Sequence, residues 1–287
     1  MIKKIFFIAL CTLLSISTNA QDEQIVFPSL SPTGSITQIV GNTTIGIEYQ
    51  RPSVRDRTIF GKLVPWNKLW RTGASKCTRL YFDKQIVFGG TALEPGAYSV
   101  FTIPNQKNWL VILNSDTSLS GTRYYDAGKN VATYEVVSQK TSRKYETLNI
   151  DIQLVNNNAQ VSLSWDYTQI IFTLETSTKQ IIHDQIEKNL YSENSTESND
   201  YCGAASYLMS SEKDYDNALK LVKKAIALDS QNEWARNIII TVYTKQSKYD
   251  AALNEVTAAI KMLQYKGGRG KEIKQLILKY ETIESLK

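Results

Sequence analysis

The chain has 287 residues, a formal net charge of +5 and 42% hydrophobic residues, which is ordinary for a globular protein of about two domains. Such a net charge by itself says little about partners, but without a wider basic field nucleic acid is a poor candidate for an exported protein. Three cysteines in so long a chain exclude a disulfide framework.

The first twenty residues have the pattern of a cleavable secretory signal. Lys3 and Lys4 precede an apolar run over residues 5–16, and the segment ends with small residues at Thr18-Asn19-Ala20. No later segment has the roughly 20 apolar residues of a membrane span, so no transmembrane segment is predicted. We therefore expect an exported protein that begins at Gln21 and resides in the periplasm or outside the cell.

Cys11 leaves with the predicted signal, which leaves Cys77 and Cys202 far apart in the sequence. We expect each to be a small buried residue. A disulfide between them is the less favoured alternative.

Residues 21–179 predict an antiparallel β-domain. Two β-branched runs, 35–40 and 43–50, are joined by Gly41-Asn42, a connection typical of a β-hairpin. Further strand-like segments, separated by turn residues that include 166–169, are 78–82, 85–88, 97–103, 109–114, 131–137, 145–154, 159–167 and 170–175. Some ten short strands without helical periodicity predict a β-sandwich or barrel.

A long basic and aromatic connection separates the strands at 43–50 and 78–82. Between Arg51 and Arg79 there are eight cations and one acid, interleaved with three large aromatic side chains. On one hypothesis the connection binds a polar or anionic ligand, because guanidinium groups pair with oxyanions and indole rings stack on sugars or cations. The candidate ligand-binding residues are Arg51, Arg57, Trp66, Trp70 and Arg71.

On the alternative hypothesis the same residues only keep the long connection ordered. The arginines would then bond to backbone carbonyls and strand acids, while the aromatic rings fill one end of the β-domain. The two hypotheses differ in a measurable way. Ligand binding predicts that Arg71→Ala with Trp70→Ala weakens capture and leaves the melting temperature nearly unchanged, whereas packing predicts a large loss of stability.

Residues 180–287 change to helical periodicity and repeat themselves. A shift of 34 residues superposes six identical residues, which is the tetratricopeptide period. The identical pairs are Tyr215/Tyr249, Asp216/Asp250, Ala218/Ala252, Leu219/Leu253, Ala225/Ala259 and Ile226/Ile260. We predict two tetratricopeptide-like repeats, 199–230 and 233–263, covered by helices near 180–194 and 271–285, with Gly267-Gly268 as the turn before the last helix.

Two such repeats either offer a groove to a protein or peptide partner, or brace the β-domain and mediate self-association. By resemblance to tetratricopeptide domains, the groove-lining residues are Tyr207, Trp234, Asn237, Thr241 and Lys245.

Recognisable catalytic patterns are missing from the sequence. His183 is the single histidine, no His/Cys/Asp cluster has metal-ligand spacing, and Ser210 to Lys213 matches a Ser-x-x-Lys pattern without its companion motifs. We therefore predict no cofactor and no catalytic residues, while carboxylates brought together only by the fold stay possible.

The motifs of the basic connection resemble an exported bacterial family of unknown function, domain of unknown function 2911. The resemblance covers residues 28–175 and rests on Tyr49-Gln50-Arg51-Pro52-Ser53-Val54, Ile59-Phe60-Gly61, Leu63-Val64-Pro65, Trp70-Arg71-Thr72-Gly73-Ala74 and Phe101-Thr102-Ile103-Pro104. It implies a β-domain that is often followed by tetratricopeptide-like helices, and it implies no activity. Where the family has Asn-Glu-Ala after the Arg-Thr-Gly-Ala motif, this chain has Ser75-Lys76-Cys77.

The leading functional hypothesis is an exported, non-catalytic binding protein of the cell envelope. Its β-domain would bind a polar or anionic ligand and its repeats a protein. The alternatives are an enzyme acting on polysaccharide through carboxylates that the fold assembles, and a purely structural scaffold.

Overall fold

The computed structural model describes residues 27–192, 195–267 and 269–287. Within these ranges a nine-stranded antiparallel sheet is followed by six α-helices, which confirms the predicted order of a β part and then an α part. The predicted signal, residues 1–20, lies outside the described residues, as does Gly268 of the predicted turn.

The sheet has the strand order β1-β2-β3-β6-β7-β8-β9-β4-β5. Its strands are β1 (Thr33–Val40), β2 (Thr43–Gln50), β3 (Thr78–Phe82), β4 (Ile86–Phe88), β5 (Thr91–Leu93), β6 (Gly96–Ile103), β7 (Asn108–Asn114), β8 (Asn130–Val155) and β9 (Asn158–Thr176).

The sheet curls around one main core, and a second, smaller buried cluster includes Phe101 of β6 and Ile112 of β7. Ile47 of β2 and Leu80 of β3 belong to the same buried cluster as Phe172 of β9, although these strands are far apart in the sheet order. The edge strand β1 also contacts β8 and β9. Alternating side chains of β2 and β3 are buried, as expected for strands with one face on a core.

The two longest strands were each predicted as two short ones, and the predicted turn at 166–169 is wrong. β8 and β9 run through these positions as continuous strands, with register shifts between Lys140 and Tyr145 and between Tyr145 and Asn149. Asp166, which pairs with Tyr145, has φ +52°. A bulge accommodates such turn-forming residues inside a strand and bends it, so polar turn residues here mark a bend and not an end.

The helices are α1 (Thr178–Ile186), α2 (Ser198–Tyr207), α3 (Tyr215–Leu228), α4 (Glu233–Lys245), α5 (Tyr249–Tyr265) and α6 (Gly270–Glu284). The first two continue as π-helical segments, Glu187–Tyr191 and Leu208–Glu212. Tyr215 and Tyr249 begin their helices, as the 34-residue shift predicted. α2 packs against both α3 and α4, and the alanines shared by the two repeat segments are buried.

Side chains at the helix starts explain where α3 and α4 begin. The Asp214 carboxylate accepts a hydrogen bond from the Asn217 backbone at 3.1 Å, and Asn232 Oδ1 accepts one from the Ala235 backbone at 3.0 Å. Each satisfies an N–H that has no partner within its helix.

The helices join the sheet with a single residue, Ser177, between β9 and α1. Thr178 is buried, and its Oγ1 accepts a hydrogen bond from the Asn42 backbone in the β1–β2 turn at 3.1 Å. Gly41 of that turn has φ +57°, and a Cβ there would lie 2.1 Å from Thr178 Oγ1, so a larger residue would displace α1. Of the helices in the described ranges, none has the length and apolar character that crossing a membrane demands.

Candidate functional site

The basic connection, residues 51–77, is fixed to strands at both ends. Near its start the Val54 N–H donates to the Glu146 carbonyl of β8 at 2.7 Å. Near its end Trp70 and Thr102 of β6 exchange two backbone hydrogen bonds of 2.7 and 2.8 Å. These bonds hold the connection across the sheet in a defined conformation.

Aromatic rings of the connection pack into the β-domain. Trp70 stacks on Trp165 of β9 with ring centroids 5.8 Å apart and planes 18° apart, and its Nε1 donates to the Gly73 carbonyl at 3.0 Å. Phe60 contacts both of these tryptophans edge-on. Trp70 is only 7% exposed, so too little of its ring is accessible for a sugar to stack on it.

Trp66 lies at the outer side of this cluster. It is half-buried and stacks on Phe60 with centroids 5.8 Å apart. Gly61, between them in sequence, has φ +88°, and a Cβ there would lie 2.5 Å from Trp66 Nε1. The glycine therefore allows the chain to turn tightly enough for the two rings to stack.

Two of the three candidate arginines bond to backbone carbonyls, as the packing hypothesis expects. Arg51 Nε donates to the Leu148 carbonyl at 3.3 Å. Arg57 donates from Nε to the Val54 carbonyl at 3.0 Å and from Nη2 to the Ser53 carbonyl at 2.6 Å. These bonds tie the connection to β8 and to itself.

Arg71 differs from the other two. It is partly buried, its Nε is enclosed, and its guanidinium makes no hydrogen bond or ion pair with any residue that the structure describes. A buried N–H donor without an acceptor costs free energy, because no protein group replaces the water it has lost. Of the three candidate arginines, Arg71 is the one whose guanidinium has no partner among the described residues.

The backbone beside Arg71 is strained. Thr72 is buried and β-branched, yet its φ is +58°, a conformation that such residues rarely adopt. Hydrogen bonds hold it there: Thr72 Oγ1 donates to Thr102 Oγ1 at 3.1 Å, and Thr78 Oγ1 donates to the Thr72 carbonyl at 2.6 Å. Strain of this kind concentrates at functional sites, where it sets the direction of a neighbouring side chain.

A cavity of about 290 Å³, which we call the arginine pocket, opens beside these residues. Three guanidinium groups line it, those of Arg55, Arg57 and Arg71, and within residues 27–192 none of the lining side chains is an acid or a histidine. The rest of the wall includes the apolar side chains of Leu30, Pro52, Leu63, Val64, Trp70 and Trp165. The pocket thus collects Arg57, Trp70 and Arg71 from the predicted ligand-binding residues, while Arg51 and Trp66 lie outside its lining.

A family profile described as "Protein of unknown function (DUF2911)" matches residues 31–174. The chain belongs to this family. The DUF2911 domain contains the sheet from β1 almost to the end of β9, and with it every lining residue of the arginine pocket except Leu30. A search of curated proteins and a search of solved structures returned no match.

The Glu146 carboxylate, which lies near the arginine pocket of the DUF2911 domain, already has partners. Glu146 accepts a hydrogen bond from the Arg55 backbone at 2.8 Å and pairs with Lys144 at 3.2 Å. The backbone hydrogen bond is the main reason that the pKa of Glu146 is lower than usual. Its charge is therefore shared with a lysine and a backbone N–H and is not directed at the pocket guanidiniums.

Cys77, at the end of the connection, does not supply a nucleophile to the DUF2911 domain. Burial raises the pKa of its thiol more than the nearby charge of Arg71 lowers it, and the thiol donates a hydrogen bond to the Gly121 carbonyl at 3.4 Å. The thiol is therefore protonated and unreactive at neutral pH. Cys202 in α2 is also buried, and the two cysteines are not bonded to each other.

Among the described residues, no group of three or more His, Cys, Asp or Glu side chains is placed to hold a metal ion.

Four of the predicted groove residues lie on one face of α4. Trp234 is 45% exposed, and Asn237 and Lys245 are also exposed. Asn237 and Thr241 bond to backbone carbonyls of their own helix. Tyr207 instead lines a cleft of about 500 Å³ between α1 and α2 together with Ile182, Ile186, Leu190, Gly203 and Ala204, a site that the helical spacing did not indicate.

Tyr207 also lies near a charged cluster that links α1 to the end of α2. Glu212 pairs with His183 Nε2 at 2.9 Å and with Lys179 at 3.2 Å. Burial would raise the pKa of the Glu212 carboxyl, but the hydrogen bonds from His183 and Lys179 outweigh it, so the pKa is lower than usual. His183 is therefore partly exposed and paired with Glu212.

This cluster predicts a pH-dependent contribution to stability. A carboxyl whose pKa is lowered by folding stabilises the fold above its unfolded pKa of about 4.3, and the contribution is lost as the pH falls through the folded pKa. We expect Glu212→Gln to lower the free energy of unfolding by about 1 kcal/mol at pH 7, since its partners are largely exposed. In urea unfolding the difference from wild type should shrink towards pH 3, whereas the exposed control Glu281→Gln should match wild type at both values. An effect of equal size at pH 7 and pH 3 would contradict an electrostatic role for Glu212.

Proposed function

We propose that this protein is an exported, non-catalytic binding protein of the cell envelope, and that its β-domain binds a small anionic ligand in the arginine pocket. The observation that carries the proposal is Arg71, whose guanidinium lacks a partner among the described residues while Arg55 and Arg57 line the same cavity. Three like charges around one cavity repel each other, and a bound anion would offset that repulsion.

The same lining argues for binding rather than catalysis. General acid–base chemistry needs a side chain that exchanges protons near neutral pH, usually histidine or a carboxyl group. The described lining of the arginine pocket offers only arginines as titratable groups, and these stay protonated in proteins. The proposal of export rests on the sequence of residues 1–20.

We propose further that the helical part is a short tetratricopeptide-like array that engages a protein partner. Supporting it are the 34-residue spacing between the starts of α3 and α5, and the packing of α2 against both α3 and α4. The exposed Trp234 on α4, beside Gly203 of α2, is the residue most suited to anchor such a partner.

The anion proposal is tested by calorimetric titration of the protein with sulfate, phosphate and acetate. We expect Arg71→Met to weaken binding tenfold or more, because a hydrogen bond to a charged group contributes about 1.5–3 kcal/mol. The affinity of Arg71→Lys should lie between those of wild type and Arg71→Met, since lysine keeps the charge but lacks the planar guanidinium. Without ligand, Arg71→Met should melt at the wild-type temperature or slightly above it, because it removes an unpartnered enclosed donor.

The matched control is Arg123→Met. Arg123 is exposed outside the pocket, where its guanidinium lies over the Tyr124 ring at 5.4 Å. Arg123→Met removes the same charge from the protein as Arg71→Met, so a general electrostatic effect on anion binding would appear in both variants. Anion affinity that is unchanged by Arg71→Met, or reduced equally by both substitutions, would reject the arginine pocket as the binding site.

A further inference from the structure

The arginine pocket has a cationic part and an apolar part. Arg55, Arg57 and Arg71 supply the charge, and the apolar wall includes Leu63 and Trp165. Leu63 is 46% exposed and Leu30 is 71% exposed, so two large apolar side chains lie in water beside three cations. Single exposed leucines are normal, but here both line the same cavity.

Hydrogen bonds within the protein limit how many donors remain for a ligand. Arg55 Nη2 donates to the Leu30 carbonyl at 2.7 Å, and Arg57 donates to two carbonyls of the connection. Arg71 alone among the three makes no such bond to a described residue. A guanidinium has five N–H donors, so Arg55 and Arg57 keep donors of their own, but Arg71 is the one of the three without a described partner. We therefore expect Arg71 to pair with a planar or tetrahedral oxyanion group, supported by the other two positive charges.

The cavity is also larger than a single oxyanion needs. Its volume is about 290 Å³, which accommodates roughly ten non-hydrogen atoms at about 30 Å³ for each water-sized group. Inorganic phosphate or sulfate would fill about half of it. A sugar would also fill it, and Ser31 and the guanidiniums could bond to some of its hydroxyl groups, but those facing the leucine, valine and proline side chains would lack partners.

We propose that the ligand is a small amphiphilic anion, with one oxyanion group on an apolar body of about five to seven carbon atoms. The oxyanion group pairs with Arg71, and the apolar body lies against Leu63 and its apolar neighbours. This inference rests on the proposed function of the same pocket, and it specifies the chemical class of the ligand.

The test compares acetate, butyrate, hexanoate and hexanol by calorimetric titration of the full chain at constant ionic strength. We expect hexanoate to bind at least tenfold more tightly than acetate, because each methylene group that leaves water strengthens binding about fourfold. Hexanol, which has the same chain without the charge, should bind at least tenfold more weakly than hexanoate. Hexanesulfonate and hexyl phosphate, titrated in parallel, identify which oxyanion group the pocket prefers.

Two leucine variants locate the apolar contact. Leu63→Ser is expected to weaken hexanoate binding about fivefold and to leave acetate binding unchanged, since only the longer chain reaches that wall. Leu278→Ser is the matched control, because Leu278 is 55% exposed on α6, outside the pocket lining. Its binding constants should equal those of wild type.

The outcomes separate this inference from the proposed function. Equal affinities for acetate and hexanoate, or an equal effect of Leu63→Ser on both, would overturn the amphiphilic ligand while anion binding by Arg71 stands. Failure of every anion to bind would overturn both. Hexanol binding as tightly as hexanoate would show an apolar site and overturn the role of the arginines.

Discussion

Trp70→Ala is expected to lower the free energy of unfolding of the β-domain by about 3–5 kcal/mol, the range for large aromatic residues in cores. The indole stacks on Trp165, makes edge contacts with Phe60 and Trp109 at 6.1 and 6.2 Å, and donates a hydrogen bond to Gly73. Alanine would leave a cavity beneath the basic connection and the Gly73 carbonyl without its donor. Urea unfolding followed by near-ultraviolet circular dichroism measures the loss.

Trp66→Ala is the matched control for this prediction. Trp66 is half-buried and its only ring contact within the described residues is with Phe60, so its removal should cost about 1 kcal/mol. Similar losses of stability for Trp70→Ala and Trp66→Ala would contradict the assignment of Trp70 to the inside of the aromatic cluster and Trp66 to its outer side.

The burial of Trp70 changes how the basic connection must be tested. On the ligand-binding hypothesis the joint replacement of Arg71 and Trp70 leaves the melting temperature nearly unchanged, whereas the packing hypothesis predicts a large loss of stability. In the structure the two differ: the tryptophan packs in the core, and the arginine is the unpartnered group in the pocket. Of these two residues, only Arg71 can therefore report on binding without a large loss of stability, and a double variant would confuse the two effects.

Local patterns were sufficient to predict most of the architecture. Gly41-Asn42 forms the predicted two-residue hairpin turn, and Tyr215 and Tyr249 begin the predicted helices. These features depend on neighbours in the sequence or on a fixed repeat. The continuous β8 and β9 were missed because a bulge at Asp166 uses the same residue types as a turn.

The arginine pocket could be predicted only in part, because three segments distant in sequence form it. Arg57 and Arg71 were selected from their local charge, but Trp165 lies on β9 and reaches the pocket only through the curl of the sheet. Leu30 is held there by the hydrogen bond that its carbonyl accepts from Arg55. No local signal in the sequence marks Arg55 or Leu63 as pocket residues. That Arg57 has hydrogen-bond partners and Arg71 has none among the described residues can be seen only from atomic positions.

Tyr201→Ala is expected to have a comparably large effect on the helical part, again about 3–5 kcal/mol. Tyr201 is 1% exposed in the first helical cluster, and its hydroxyl donates to backbone carbonyls of the α1–α2 connection, at 3.3 Å to Leu190 and 3.1 Å to Ser195. The ring thus fills the core of α2, while the hydroxyl fixes the segment that joins α1 to α2. Replacing it with alanine removes both contributions together.

Two control variants separate these contributions. Tyr201→Phe keeps the ring and loses the hydroxyl, so it should cost only about 1 kcal/mol, as for a single hydrogen bond. Tyr265→Ala, at a tyrosine that is 88% exposed on α5, should leave stability unchanged. Thermal unfolding followed at 222 nm measures all three variants. If Tyr201→Phe destabilised the protein as much as Tyr201→Ala, the packed ring would contribute little. The hydrogen bonds from the hydroxyl to two backbone carbonyls would then hold α1 and α2 together and fix the cleft between them.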